Sequence, residues 1–152
     1  MLGKLNELQI DHLLLSQIVG RIACTDGKKP YITPVTYVFD GKNIIGQTRE
    51  GLKLRMMRKN PNVCFEVDSM MDMTNWQSAI VSGTFKELKG KEAEEAREYL
   101  FDHVLPLMTS STIHAHQHEV TTLVDDSNRV KPVMYRIAIK EKSGRFEKQC
   151  EC

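Results

Sequence analysis

Seven consecutive residues, Gln47-Thr48-Arg49-Glu50-Gly51-Leu52-Lys53, combine a hydroxyl, a glycine and two cations where a strand pattern gives way to a helix pattern. The first turn of a helix exposes N–H groups without intrahelical partners and carries positive partial charge. Lys53 falls in or near that turn, where a cation is unwelcome unless an anion shares the place. Thr48 offers a hydroxyl, Gly51 permits close backbone approach, and a phosphate is the anion such junctions usually hold. A plain helix start with a solvated lysine has the same residues, so this pattern leaves both readings open. No nucleophile constellation is present. Ser78 and Ser82 lack a Gly-x-Ser-x-Gly context, and neither Cys24 nor Cys64 has a nearby His in sequence. The carboxylates fall mostly on helix faces, as ordinary solubilising charge. If the chain is an enzyme, a cofactor carries the chemistry. His114, His116 and His118 alternate, so a strand would place them on one face, where two could bind one metal. No acidic or thiol ligand accompanies them, and no metal is expected.

The elements that must position these residues are mostly strands. Asn6 and Gln9 form a capping-box pattern, and Ile10, Leu13 and Leu14 follow at helical spacing, which predicts a helix over Glu7–Gln17 stopped by Gly20. The period then changes to two. Strands are expected at Arg21–Thr25, Tyr31–Phe39, Asn43–Thr48, Asn62–Asp68, Trp76–Leu88 and from Lys131 to Glu147. Asp26-Gly27 and Asp40-Gly41 supply turns. Val35, Tyr37 and Phe39 share one face, and Pro34 calls for an edge or a bulge. A short helix ending near Asn60 precedes Pro61, and Met70–Asn75 reads as a connection. The clearest helix runs over Lys91–Leu105, acidic in its first turn and ended by Pro106. The stretch from Thr109 to Arg129 has no readable period. Six strands joined mainly by hairpins exclude a parallel doubly wound sheet. Closing them into an antiparallel barrel removes the exposed edges, so the expected fold is mainly β: a six-stranded antiparallel barrel with short helices at its ends.

With 152 residues, the chain has the size of one domain. It is 41% hydrophobic and 27% charged, which excludes intrinsic disorder. A net charge of +1 argues against a dedicated nucleic-acid binder. No apolar run is long enough to span a membrane, and the polar N-terminus does not read as a signal peptide. Cys24 and Cys64 lie in strand-like runs, Cys150 and Cys152 are too close for an easy bridge, and no Cys-x-x-Cys pair occurs. A soluble cytoplasmic protein with reduced thiols is expected.

The succession LLLSQIVGRIAC, PYITPVTYVFDG, IIGQTREGLKLRMMRKNPNVCFEVD, WQSAIVSGTFKEL and YRIAIKEKSGRFE resembles the pyridoxamine 5'-phosphate oxidase-like FMN-binding split barrels. Within them it is most similar to the branch of the 5-nitroimidazole-resistance proteins. The resemblance spans nearly the whole chain and is weakest between Thr109 and Arg129. It implies a split barrel, a homodimer, and FMN held in the cleft between the subunits. Thr48, Gly51 and Lys53 would hold the phosphate, with Arg49 as a second cation. Backbone groups of Val35, Thr36 and Tyr37 would lie along the isoalloxazine ring, and Trp76, Gln77 and Ser78 would line the cleft. Core packing is the competing role for Val35 and Tyr37, and an interface anchor for Trp76. The branch usually carries a His just before the Ser/Thr. Here Gln47 stands in that place, or Gly46 if the loop is aligned one residue longer, and neither can serve as a proton donor near neutral pH. FMN binding therefore carries over better than nitroimidazole reduction, unless the His114–His118 stretch supplies protons over the flavin. The implied activity passes electrons from NADH or NADPH through FMN to a small oxidised substrate. The alternative is a non-catalytic split barrel binding flavin, haem or a deazaflavin.

Overall fold

The computed structural model describes residues 1–108 and 132–150. Among the described residues seven strands, β1 (Leu2–Lys4), β2 (Val19–Thr25), β3 (Pro30–Phe39), β4 (Asn43–Thr48), β5 (Asn62–Asp72), β6 (Asn75–Leu88) and β7 (Val133–Glu147), are accompanied by three helices. The helices are α1 (Glu7–Ser16), α2 (Leu52–Lys59) and α3 (Gly90–Met108). The strand order is β1-β7-β4-β3-β2-β5-β6, and β6 returns to pair with β7. Every pairing is antiparallel. β2 to β7 thus close the expected six-stranded barrel, and closure leaves those strands without a continuous free edge. β1 is an addition to the expected fold. It lies on the flank of β7, pairing Leu2, Gly3 and Lys4 with Glu147, Phe146 and Arg145.

Alternation along the strands fills the barrel. Ile22, Val35, Tyr37, Phe65, Val81 and Ile137 are buried on the inner face, and the rings of Tyr37 and Phe65 meet edge-on at 4.7 Å. Helix α1 adds Ile10, Leu13 and Leu14 to this core, and α2 adds Leu54, Met56 and Met57. The α1 start is the expected capping box: Gln9 N–H donates to Asn6 Oδ1 at 2.9 Å, and Asn6 N–H donates to Gln9 Oε1 at 2.8 Å. Helix α3 lies outside the barrel, packing Ala96, Leu100 and Val104 over Val38, Ile45, Leu88 and Met134. Among the described residues no helix is long and apolar enough to cross a membrane.

Several local expectations give way to tertiary context. Gly20 does not stop α1, which ends at Ser16; it sits within β2 opposite Val35. A Cβ at Gly20 would lie 2.2 Å from Phe65 Cζ, so glycine there makes room for the core aromatic. Pro106 does not end α3, which continues to Met108; a proline in the last turn removes only one backbone hydrogen bond. The Met70–Asn75 connection is mostly strand, because β5 runs through Asp72 and pairs it with Asn75. Pro34 sits where expected. The β3–β4 ladder covers Tyr37–Phe39 alone, so the first part of β3 has an open side. The register of β6 on β7 shifts between Ser82 and Gly83. A Cβ at Gly83 would lie 2.5 Å from the Ala138 carbonyl oxygen, so the strands approach too closely there for any side chain.

Candidate functional site

The wall of the barrel opens between β3 and β4. Tyr37 pairs with Gly46, but beyond that point Gln47 and Thr48 stay with Met134 and Val133 of β7. Val35 and Thr36 therefore face Gln47 and Thr48 across a split in the ladder, and the chain turns from there into α2. Gly51 occupies the N-cap position and no side chain caps the helix. The first helical bond, Arg55 N–H to the Gly51 carbonyl, measures 3.1 Å. Among the described residues nothing accepts from the N–H groups of Leu52, Lys53 and Leu54.

This turn has no acid to balance its dipole. Lys53 within it is half-buried, and burial lowers its pKa below that of an ordinary lysine. The neighbouring Cys24 thiol opposes that shift. Among the described residues no carboxylate pairs with Lys53. The acid just before the N-cap, Glu50, is engaged elsewhere. Its Oε1 accepts from Arg58 Nη2 at 2.8 Å and its Oε2 from Arg58 Nη1 at 3.0 Å. Arg58 also donates to both Glu87 oxygens, each at 2.9 Å. Those bonds hold the Glu87 pKa down and push that of Arg58 up. The clamp ties the turn to α2 and to the end of β6. Thr48 is buried, its hydroxyl donating to the Arg49 carbonyl at 3.3 Å, and Arg49 is exposed. The arrangement suits an anion bound by backbone N–H groups and one or two cations, and the Thr48 hydroxyl would join them by turning from the Arg49 carbonyl to the anion.

The other expected residues are divided. Val35 and Tyr37 spend their side chains on the core, and the Tyr37 hydroxyl donates to the Leu14 carbonyl at 2.6 Å. Only Thr36 and the open backbone of β3 face outward. Gln47 is half-buried, with its Oε1 buried and unpaired among the described residues. Trp76, Gln77 and Ser78 lie at the start of β6. The Trp76 indole donates to Glu147 Oε2 at 3.0 Å and the Ser78 hydroxyl to Glu66 Oε1 at 3.0 Å. Glu87, which touches the Arg58 clamp, stands near the other end of that 14-residue strand, roughly 35 Å away at strand spacing. One chain therefore does not bring Trp76–Ser78 together with Thr48–Lys53. Cys24, Cys64 and Cys150 are free thiols. His114, His116, His118 and Cys152 lie outside the described residues. The sequence pattern carried no sign of the Arg58 clamp, whose partners Glu50 and Glu87 meet it only through the fold.

The chain matches the pyridoxamine 5'-phosphate oxidase family over residues 6–146, and it belongs to that family. Among solved structures it is similar to an FAD-binding protein from Mesorhizobium loti, with 26% identity, 98% of each chain covered and a TM-score of 0.77. A candidate 5-nitroimidazole antibiotic resistance protein from Bacteroides thetaiotaomicron has 15% identity and a TM-score of 0.70, with 96% of this chain and 87% of that one covered. The FAD-binding protein of Mycobacterium smegmatis has 22% identity and a TM-score of 0.63, covering 95% and 97%. An uncharacterized protein of Rhizobium meliloti is 33% identical over 70 residues, which is 46% of each chain, so the match spans less than half of that relative's length.

Proposed function

We propose that this chain binds FMN in a cleft shared by two copies of itself and works as an oxidoreductase on a small molecule. The observation that carries the reading is Lys53, a half-buried cation without a carboxylate partner among the described residues, in the first turn of an uncapped helix. Thr48, Gly51 and Lys53 would hold the phosphate, with Arg49 at its outer side. The open backbone of β3 at Val35–Tyr37 and the amide of Gln47 would border the ring. Trp76, Gln77 and Ser78 would come from the second copy, since their own chain holds them far from Lys53. When bound, the flavin supplies two-electron chemistry between a nicotinamide donor, NADH or NADPH, and a small oxidised acceptor. The residues orient it and exclude water. Gln47 positions by hydrogen bonds but holds no ionisable proton, so metronidazole is expected to be a poor acceptor. The likeness to an FAD-binding protein favours FAD as a second reading, because FAD carries the same phosphate beside its ribityl chain.

Calorimetric titration with FMN, FAD and riboflavin tests this. FMN should bind tightly, and Lys53→Ala should weaken it by about 1.5–3 kcal/mol, the range for a hydrogen bond to a charged group. Riboflavin, without a phosphate, should barely respond to the change. Equal losses for FMN and riboflavin would remove Lys53 from the phosphate site, and tighter binding of FAD than FMN would replace the cofactor. Light scattering that shows a stable monomer at micromolar concentration would end the shared cleft.

A further inference from the structure

The end of β7 sets two like charges against each other. Lys4 on β1 and Arg145 on β7 are direct cross-strand partners, and both are exposed. Like charges directly opposite on an antiparallel pair repel. On its other side Arg145 faces Ser78 of β6, a neutral hydroxyl. The nearby carboxylates accept hydrogen bonds from other groups. Arg21 takes Glu66 and Asp68, and Glu147 accepts the Trp76 indole N–H. Lys142, which also borders this region, is paired with Asp11 at 2.6 Å. Among the described residues neither Lys4 nor Arg145 has an ion-pair partner.

Beside this pair runs a groove of about 550 Å³, bordered by Lys4, Leu5, Trp76, Ser78, Ile80 and Arg145. Its size suits a small organic ligand. Its apolar members offer a flat aromatic face and two aliphatic side chains, while its unpaired charges are of one sign. An arginine fork matches the two oxygens of a carboxylate or phosphate group. We propose that this groove binds a small planar organic anion, its charged group held by Arg145 and Lys4 and its body packed against Trp76, Leu5 and Ile80. The site is complete in one chain and stands without the flavin reading. If that reading also holds, the groove borders the shared cleft, and the organic anion is the acceptor substrate.

Trp76 is the chain's single tryptophan, so at fixed flavin content a change in its emission reports on this groove. Benzoate and phenyl phosphate should each change that emission saturably, and uncharged benzamide should have little effect. Arg145→Gln and Lys4→Gln should each weaken benzoate by about tenfold or more, the scale of one charge-assisted hydrogen bond, while Arg145→Lys keeps part of the affinity. Lys4→Glu should abolish binding and raise the melting temperature, because the opposed pair becomes attractive. Flavin content is followed separately by visible absorbance, and Lys53→Ala should leave the benzoate response in place. Benzamide binding as tightly as benzoate, or an unchanged response in Arg145→Gln, would overturn the proposal. So would an equal loss in Lys53→Ala, which would assign the anion to the start of α2 instead.

Discussion

The two ends of β6 present cations in different ways. Near Glu87 the Thr48–Lys53 turn gathers a hydroxyl, a glycine and a lysine from adjacent positions, and the Glu50–Arg58–Glu87 clamp holds the turn in place. Near Trp76 the charges come from Lys4 and Arg145, neighbours only because β1 pairs with the end of β7. The first arrangement depends on local backbone geometry. The second depends on the register of strands that meet through the whole barrel. A disturbance of register should therefore separate them.

Gly83 is the place to apply it, and the largest stability effect is expected there. Its missing Cβ lets β6 approach the Ala138 carbonyl at the register shift that sets how the rest of β7 lies on β6. Gly83→Ala should destabilise the fold by about 1–3 kcal/mol, the usual cost of overpacking, measured by urea unfolding. Of the two sites, the benzoate response at Trp76 should suffer more than FMN affinity. Loss of both to the same degree would mean that the barrel yields as one unit. A smaller effect is expected from Asn6→Ala, which breaks the capping box of α1. The cost should be about 1 kcal/mol, and the groove is again the more exposed site, because Leu5 and Ile10 pack on Gly144 of β7. Hydrogen exchange across α1 and β7 would locate the change.

The smallest effect sharpens the local site. Burial holds the pKa of Lys53 below the ordinary lysine value of about 10.5. Between the two values the unfolded chain binds more protons than the folded one, so stability without ligand should rise slightly with pH across that window. FMN affinity should fall over the same window as Lys53 loses its charge, and Lys53→Ala should flatten both trends. An unchanged alkaline profile of FMN affinity in the variant would show that another group titrates.

The sequence made the local site readable because its parts are contiguous. Helix electrostatics marks Lys53 from the sequence alone, with a solvated lysine as the other reading, and the capping box at Asn6 and Gln9 is plain. Tertiary determinants were not visible in this way. Gly20 read as a helix stop because its true reason, the ring of Phe65, comes from another strand. β1 is three residues long, too short for a period, and becomes a strand only by meeting Arg145–Glu147. Alternation put Val35 and Tyr37 on one face of β3 but could not say whether that face met a core or a ligand. The Arg58 clamp was hidden for the same reason, since Glu87 reaches α2 only once the barrel closes.

The pairing of β1 with the end of β7 also decides how the molecule bears load. Met1 donates to the Lys148 carbonyl, and the Leu2, Gly3 and Lys4 rungs follow inward from there. Tension applied between residues 1 and 148 would open these rungs one at a time, like a zip, instead of shearing them together. Resistance to stretching should accordingly be low at first and rise once the peeling reaches the body of the barrel. Trp76, tied to Glu147 in the first rung of β6 on β7, would be the earliest residue to sense the pull.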